Sequence, residues 1–270
     1  MSWISLQVPA IGSLDAPVYV RVQDIPPHHR FPAHRHRWHQ LIYSISGSLT
    51  VAVEHQRFVC GPEQAVWIPI GTVHEVASTY GAKFRSLYVR RTTEVAMPAR
   101  HVVVEVTPLM RELILEASHL GSSDDRTYRQ RVLHLILSHL PRLSRVDMSL
   151  PWPATEILRR LCEELYRSPA NEDDISAWGD RLGASGRTLT RRFQAETGMT
   201  FRNWKRRMRL VKALELLGAG MNVTTTALEL GYHSTSAFSF MFANEMGYSP
   251  KEHRVARSGP DSRQSSRNSS

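Results

Sequence analysis

The spacing of three histidines is the first feature of this sequence that could support metal chemistry. His34 and His36 are two residues apart, so on a β-strand both side chains would point to one face, and His74 follows a separate strand-like run. From neighbouring strands the three imidazoles could converge inside a small barrel and suit a divalent transition metal. Gln40 lies nearby but offers a neutral amide, a poor replacement for a carboxylate ligand. Three interpretations stay open: a metal site formed by these four residues, a pocket for an organic effector, or histidines that only hydrogen-bond within the domain.

A second kind of chemistry is indicated by a run of basic residues towards the C-terminus. Between Ser185 and Lys212 the only acid is Glu196, whereas the basic residues are Arg187, Arg191, Arg192, Arg202, Lys205, Arg206, Arg207, Arg209 and Lys212. Phosphate is the natural counter-charge for such a run. A helical bundle with solvated arginines would carry a similar charge run, so the charge alone does not decide the function.

An internal repeat around this basic run indicates how it is presented. The pattern Leu182-Gly183 followed by Ser185 occurs a second time as Leu230-Gly231 followed by Ser234. In each copy a short apolar helix ends at a glycine that can adopt the left-handed conformation, and a serine then caps the next helix. This is the pattern of a helix-turn-helix unit, whose second helix enters the major groove. The predicted DNA-binding residues are Ser185, Arg187, Thr188, Arg191, Arg192, Arg202, Lys205, Arg206, Arg209, Ser234, Thr235, Ser236 and Ser239.

The same segments resemble the AraC/XylS family. The motifs that carry the resemblance run from Ser185 to Phe193, from Thr197 to Thr200, and from Leu230 through Gly247 to Pro250. The resemblance implies that both recognition helices enter successive major-groove segments on one face of the duplex. Many members have basic residues in the second recognition helix, where this chain has Phe240, Met241 and Ala243. We therefore expect the first unit to supply more of the charged base contacts, and the second to rely on its serines and on apolar contacts, although some of its phenylalanines must be core.

The N-terminal part has the pattern of a β-rich domain. Val18, Val20 and Val22 alternate with other residues, as do Leu49, Val51 and Val53, and turn residues separate the runs. Several short strands of this kind predict a sandwich or barrel. The histidine segments resemble the two cupin motifs, His-x-His with a following acid and glycine, then Pro-x-Gly with a following histidine. This chain departs from the pattern with Gln40 in place of the acid, Ser78 in place of the final asparagine, and Gly61 shifted by two residues.

Helical periodicity replaces the strand pattern after residue 106. Two amphipathic helices are predicted, from Thr107 to Leu120 and from Arg126 to Leu140, with a break at 121–125. The family resemblance implies dimerisation through such helices, and the alternative is that they simply cover one side of the barrel.

The predicted organisation is α+β with two domains, divided as follows: a cupin-like sensor barrel at 1–106, a helical segment at 107–145, a linker at 146–153, an all-α AraC-type domain at 154–255 with two helix-turn-helix units joined by a linker helix, and a disordered tail at 256–270.

Length, charge and cysteine content are consistent with this organisation. The 270 residues allow two domains, each with its own core. The formal net charge of +9 and the pI near 10 favour an anionic partner. Cys60 and Cys162 fall in different predicted domains, which argues against a disulfide framework. No apolar run approaches the roughly 20 residues that span a bilayer, and the first residues lack the basic segment of a secretory signal. We therefore expect a cytoplasmic protein that does not enter a membrane.

The sequence thus predicts a DNA-binding transcription regulator, with operator DNA, a small-molecule effector and a second copy of the chain as partners. A divalent transition metal is the one candidate cofactor. Glu63 and Glu75 are the only carboxylates near the second histidine motif and neither has a partner at informative spacing, so we do not expect an enzyme. The rivals are a cupin metalloenzyme with a helical appendage and a constitutive DNA-binding regulator. The runs 40–43 and 65–69 resemble a subgroup associated with drugs or small aromatic compounds and with control of efflux transporter genes.

Overall fold

The computed structural model describes residues 3–14, 16–120 and 125–255. The chain divides into two compact units, residues 1–151 and 152–270. The first is β-rich with two helices and the second is helical, which confirms the predicted fold class. The predicted disordered tail at 256–270 and most of the predicted break at 121–125 lie outside the described residues. No helix within the described ranges is both long and apolar enough to cross a membrane.

The strands of the first unit form two mostly antiparallel sheets of six strands each. The described strands are β1 Ile4–Ser5, β2 Val18–Ile25, β3 His29–His34, β4 His39–Gly47, β5 Leu49–Val53, β6 Gln56–Cys60, β7 Gln64–Ile68, β8 His74–Ser78, β9 Ala82–Val89, β10 Val102–Glu105, β11 Arg145–Val146 and β12 Leu150–Pro151. The order is β1-β3-β8-β5-β6-β12 in one sheet and β11-β10-β7-β4-β9-β2 in the other. Only β1 and β3 pair in parallel among the described pairs.

The core between the two sheets follows from the period-two alternation of the strands. In β5, Leu49, Val51 and Val53 are buried while the residues between them are half-buried, as the sequence predicts. Side chains from both sheets form this core, for example Val51 from one sheet and Phe84 from the other. Gly47 closes the β4–β5 turn with φ +76°, and a Cβ there would lie 2.2 Å from the carbonyl oxygen of Gly81. Only glycine fits this turn.

Two helices cover the outer face of the second sheet. Their positions along the chain are those that the sequence periodicity predicts. They are α1 Pro108–His119 and α2 Arg126–His139, followed by a 3-10 turn at Leu140–Arg142. The hydroxyl of Thr107 caps α1 by accepting from the Met110 amide, and the Asp125 carboxylate caps α2. Apolar side chains of both helices pack on the outer residues of β4 and β9. The expected linker at 146–153 is partly strand, because Leu150 is fully buried and β12 pairs with β6.

The second unit consists of helices around a core of tryptophan, phenylalanine and leucine side chains. The described helices are α3 Glu156–Arg167, α4 Ile175–Leu182, α5 Gly186–Thr197, α6 Phe201–Gly218, α7 Val223–Glu229, α8 Thr235–Met246 and α9 Pro250–Val255. Helices α4 and α5 form one helix-turn-helix unit, α7 and α8 form the other, and α6 joins them. Gly183 and Gly231 have φ of +66° and +79°, the left-handed conformation predicted from the sequence. Cys60 and Cys162 are both buried, and neither is in a disulfide bond among the described residues.

Candidate nucleic-acid interface and candidate effector site

Helix α5 presents arginines on the face that points away from the core of its unit. Leu189 and Phe193 are buried, whereas Arg187, Arg191 and Arg192 are exposed. The Oγ of Ser185 caps the helix by accepting from the Thr188 amide at 3.2 Å. Arg187 and Arg191 are four residues apart and therefore neighbours on one helix face. This is the arrangement expected of a helix whose N-terminal half reads base edges.

Glu196, the one acid of the basic run, has a structural role. Its carboxylate accepts from the Ala154 and Thr155 amides at 2.9 Å each and from the Thr155 hydroxyl, directly before helix α3 begins. This carboxylate therefore caps the N-terminus of α3, and it also lies close enough to Arg192 of α5 to feel the charge of that arginine.

The basic side chains of α6 have intramolecular partners, which the sequence pattern did not indicate. Lys205 Nζ donates to the Asp173 carbonyl at 3.1 Å, and Arg209 Nε donates to the Pro169 carbonyl at 3.0 Å. Arg206 forms an ion pair of 2.5 Å with Glu245 of α8. These contacts tie α6 to the α3–α4 loop and to the second helix-turn-helix unit. Arg202, the remaining predicted DNA-binding residue of α6, is exposed.

Helix α8 exposes an apolar and weakly polar surface in place of the basic one on α5. Phe238 and Phe242 are fully buried, which agrees with the expectation that some phenylalanines of this helix belong to the core. Phe240, in contrast, is 78 % exposed. Ser234 caps the helix by accepting from the Ala237 amide at 3.1 Å. Of the other predicted contact residues, Ser236 is exposed, and Thr235 and Ser239 are half-buried. Phe240 was not among the predicted contacts, although its offset from the two core phenylalanines in the helical period could have identified it.

Three histidines meet in the first unit, as the sequence predicts. His34 pairs with His74 across β3 and β8, and the candidate ligand atoms of His34, His36 and His74 all lie within 4.8 Å of one another. Strand β3 ends at His34, so His36 does not reach the cluster by strand alternation alone. Its carbonyl instead accepts from the Gly71 amide at 3.0 Å, which holds the segment after β3 against the loop before β8.

Two of the three histidines use Nδ1 for a hydrogen bond and keep Nε2 available for a ligand. His34 Nδ1 bonds the Pro32 carbonyl at 2.7 Å, and His74 Nδ1 bonds the Thr72 carbonyl at 3.0 Å. A carbonyl only accepts, so the ring hydrogen is on Nδ1 and Nε2 keeps its lone pair. The Nε2 atoms of His36 and His74 are buried and have no partner among the described residues. Such Nδ1–carbonyl bonds also orient histidines that bind metals.

Burial keeps the three imidazoles neutral. Burial, with smaller contributions from His34, His74 and Arg21, lowers the pKa of His36 to about 3. Burial also lowers the pKa of His74 to about 4, against a raising effect from its bond to Thr72. The pKa of His34 is lowered mainly by burial. Neutral imidazoles with free Nε2 lone pairs fit a divalent transition metal, which would polarise any ligand atom bound beside them.

Gln40 lies on the same inner face but is already hydrogen-bonded. It is 2 % exposed, and its Nε2 donates to Ser86 Oγ at 2.7 Å. Its Oε1 is buried without a partner among the described residues, so it can only accept a hydrogen bond or act as a neutral ligand. Trp38 and Tyr88 complete the surroundings, with ring centroids 5.5 Å and 5.2 Å from that of His36. Tyr88 was not predicted, because only the strand register brings β9 to this position.

Two family models match separate parts of the chain. A family model described as a helix-turn-helix domain matches residues 178–256, and one described as a cupin domain matches residues 21–89. The HTH-type transcriptional regulator NimR of Escherichia coli is 32% identical over 220 residues, which is 81% of this chain and 80% of that protein. The HTH-type transcriptional activator RhaS of Escherichia coli is 30% identical over 153 residues, 56% of this chain and 55% of RhaS.

Solved structures were also found. ToxT from Vibrio cholerae covers 90% of this chain and 99% of its own at 10% identity, with a TM-score of 0.39. The C-terminal domain of AraT, a response regulator from Geobacillus stearothermophilus, covers 38% of this chain and 86% of its own at 26% identity, with a TM-score of 0.35.

Proposed function

The chain belongs to the AraC family of transcription regulators with an N-terminal cupin domain, and we propose that occupancy of the barrel controls how tightly its two helix-turn-helix units bind an operator. It is a DNA-binding regulator and not an enzyme. The observation that carries the proposed mode of binding is the pair of outward faces on α5 and α8. A transcription regulator acts where the chromosome is, so the proposed location is the cytoplasm.

The DNA contacts are divided between the two units. Arg187 and Arg191 of α5 are placed to contact guanine edges, with Ser185, Thr188 and Arg192 beside them. In the second unit Ser234, Thr235, Ser236 and Ser239 contribute polar contacts. On α6, Arg202 meets phosphate, whereas Lys205, Arg206 and Arg209 hold the helix to its neighbours as well as adding positive charge.

Selection from a random DNA pool, followed by fluorescence anisotropy, tests this mode of binding. Arg187→Ala should weaken binding to the selected site by about 1 to 3 kcal/mol and relax the preference at one base pair. Arg202→Ala should weaken binding to all sequences alike and reduce the salt dependence. The matched control is Arg167→Ala, an exposed arginine at the end of α3. Equal effects of the Arg187 and Arg167 substitutions would contradict the assignment.

The histidine cluster is the proposed effector site, with a divalent metal at His34, His36 and His74. The grouped ring nitrogens of the three histidines support a metal, as do the buried and unpartnered Nε2 atoms of His36 and His74. The unpartnered Oε1 of Gln40 supports an additional ligand from outside the protein. An effector that binds one arrangement of the two units more tightly than another shifts the population and with it the affinity for DNA. By resemblance to the subgroup named above, the proposed target is an efflux transporter gene.

Metal content of the purified full-length protein tests the site. Plasma mass spectrometry should find stoichiometric metal in the wild type and none in His36→Ala, with His55→Ala as the control because His55 is exposed on the same domain. Chelation should change operator affinity in the wild type only. If the purified wild type contains no metal and chelation does not change its operator affinity, an organic effector without metal is favoured. If no ligand changes the operator affinity either, constitutive DNA binding is favoured.

Dimerisation through α1 and α2 is also proposed. Leu109 on α1 and Leu135 on α2 are each more than half exposed, and Tyr128 of α2 is nearly so. Exposed apolar side chains on two adjacent helices are typical of an interface between copies. Analytical ultracentrifugation of Leu135→Glu against the wild type tests this proposal, and an unchanged dimer would contradict it.

A further inference from the structure

Arg21 is brought into the interior of the barrel by the pairing of β2 with β9. It pairs with Ser86, whose Oγ accepts from Gln40, so these side chains lie on the inner face of one sheet. Its guanidinium carbon lies 5.1 Å from the ring centroid of Phe31. Phe31 belongs to β3 in the opposite sheet. The guanidinium therefore extends across the space between the sheets, beside the histidine cluster.

The charge of Arg21 is not balanced by any acid among the described residues. Its described contact is the face of the Phe31 ring, and the neighbouring cluster consists of histidines with no carboxylate. Where the cupin motif has an acid, this chain has neutral Gln40. A bound anion would supply the missing charge and accept two parallel N–H bonds from the guanidinium.

Further groups near Arg21 and the histidines also lack partners. Trp38 Nε1 is buried with no acceptor among the described residues, although buried polar groups are nearly always hydrogen-bonded. Trp38 packs against two rings, with its centroid 5.5 Å from that of His36 and 5.5 Å from that of Tyr88. Tyr88 also stacks on Tyr19, which is 46 % exposed. A ligand at this position would meet indole and guanidinium N–H donors on one side and aromatic rings on the other.

We propose that the effector is a small aromatic carboxylate, with its carboxylate on Arg21 and the Trp38 Nε1–H and its ring against Trp38, Tyr88 and Tyr19. This inference rests on the proposed function, since it names the ligand class of the same barrel. It also explains why Gln40 is tolerated in the cupin motif: the negative charge comes with the ligand. A metal at the histidines, when bound, would attract the same carboxylate.

Isothermal titration calorimetry on the full-length protein tests the proposal, with benzoate, its neutral counterpart benzamide, and acetate as probes, each with and without Zn²⁺. Benzoate should bind about tenfold or more tightly than benzamide, because only benzoate forms charge-assisted bonds to Arg21. Acetate should also bind more weakly than benzoate. Arg21→Met should remove the preference for benzoate over benzamide, and Arg21→Lys should retain part of it. Arg37→Met removes an exposed arginine nearby in sequence and should change nothing.

Three results would each overturn the proposal. The first is equal affinity for benzoate and benzamide, and the second is no detectable benzoate binding with or without Zn²⁺. The third is an unchanged preference for benzoate in Arg21→Met. Acetate binding as tightly as benzoate would overturn the aromatic part of it. Operator affinity is measured on the same samples without any probe. If the wild type does not bind the operator, the proposed function is refuted. If it binds the operator but benzoate does not change that affinity, only the proposed ligand class is refuted.

Discussion

Phe240 should contribute directly to operator recognition through an apolar contact with the DNA. It projects from the N-terminal half of the second recognition helix and is 78 % exposed, so folding of the protein leaves most of its ring in water. The 5-methyl group of thymine is the apolar feature of the major groove, and phenylalanine is one of the side chains that contact it. The absence of basic residues from α8 makes this contact a larger share of what the second unit can recognise.

The exposed area of Phe240 sets the size of the effect. An aromatic side chain can bury roughly 150 to 250 Å², and burying about half of the exposed part against DNA at roughly 25 cal/mol per Å² gives about 2 kcal/mol. That free energy corresponds to a loss of about thirtyfold in affinity for Phe240→Ala. The thermal unfolding midpoint should stay close to that of the wild type, because the ring makes little contact with the core.

The assay combines the substitution with deoxyuridine in place of thymidine at each position of the selected operator. At the contacted thymine, loss of the methyl group should weaken binding by the wild type but not further weaken binding by Phe240→Ala. Leu228→Ala is the control, since Leu228 is 64 % exposed on α7, the first helix of the same unit. The predicted contact is refuted if Phe240→Ala binds the operator as tightly as the wild type does. It is also refuted if the effects of Phe240→Ala and of the deoxyuridine replacement add fully at every thymine.

Further expected outcomes concern the stability of each unit. The pKa values of His36 and His74, lowered to about 3 and about 4 by burial, mean that the unfolded metal-free chain takes up protons first as the pH falls below 6.5. The free energy of unfolding should therefore fall between pH 7 and pH 5, by up to about 1.4 kcal/mol per pH unit for each histidine, and less steeply in His36→Ala; equal slopes in urea titrations would contradict this. In the second unit Glu215 is 1% exposed and accepts from Lys212 at 2.8 Å and from Tyr166 at 2.5 Å. Glu215→Gln should destabilise the protein by about 3 kcal/mol because it leaves a buried ammonium without its carboxylate, whereas the exposed Glu229→Gln should have little effect, and a loss below about 1 kcal/mol in urea unfolding would show that Lys212 is compensated elsewhere.

Local sequence chemistry predicted the helix-turn-helix units because each of their signals lies within a few residues of the feature it specifies. Ser185 and Ser234 cap the helices they precede, and Gly183 and Gly231 have the left-handed backbone that a sharp turn needs. The histidine cluster was also predicted, since the cupin-like spacing of His34, His36 and His74 implies that they converge. Phe240 was missed for the opposite reason. Phe238 and Phe242 are four residues apart and share a helix face that Phe240 does not, but which of these faces is buried depends on how α8 packs.

Pairings between distant segments explain the rest of what sequence reasoning missed. Lys205 and Arg209 look like phosphate ligands on a helical wheel, but the α3–α4 loop supplies carbonyl oxygens to both. Arg21 looks like one polar residue of an alternating strand, and only the β2–β9 register shows that it faces the interior. A charged side chain on the inner face of a barrel is costly unless something pairs with it. The chain contains such a residue next to a cluster that lacks the usual carboxylate, and a ligand that brings its own negative charge accounts for both departures at once.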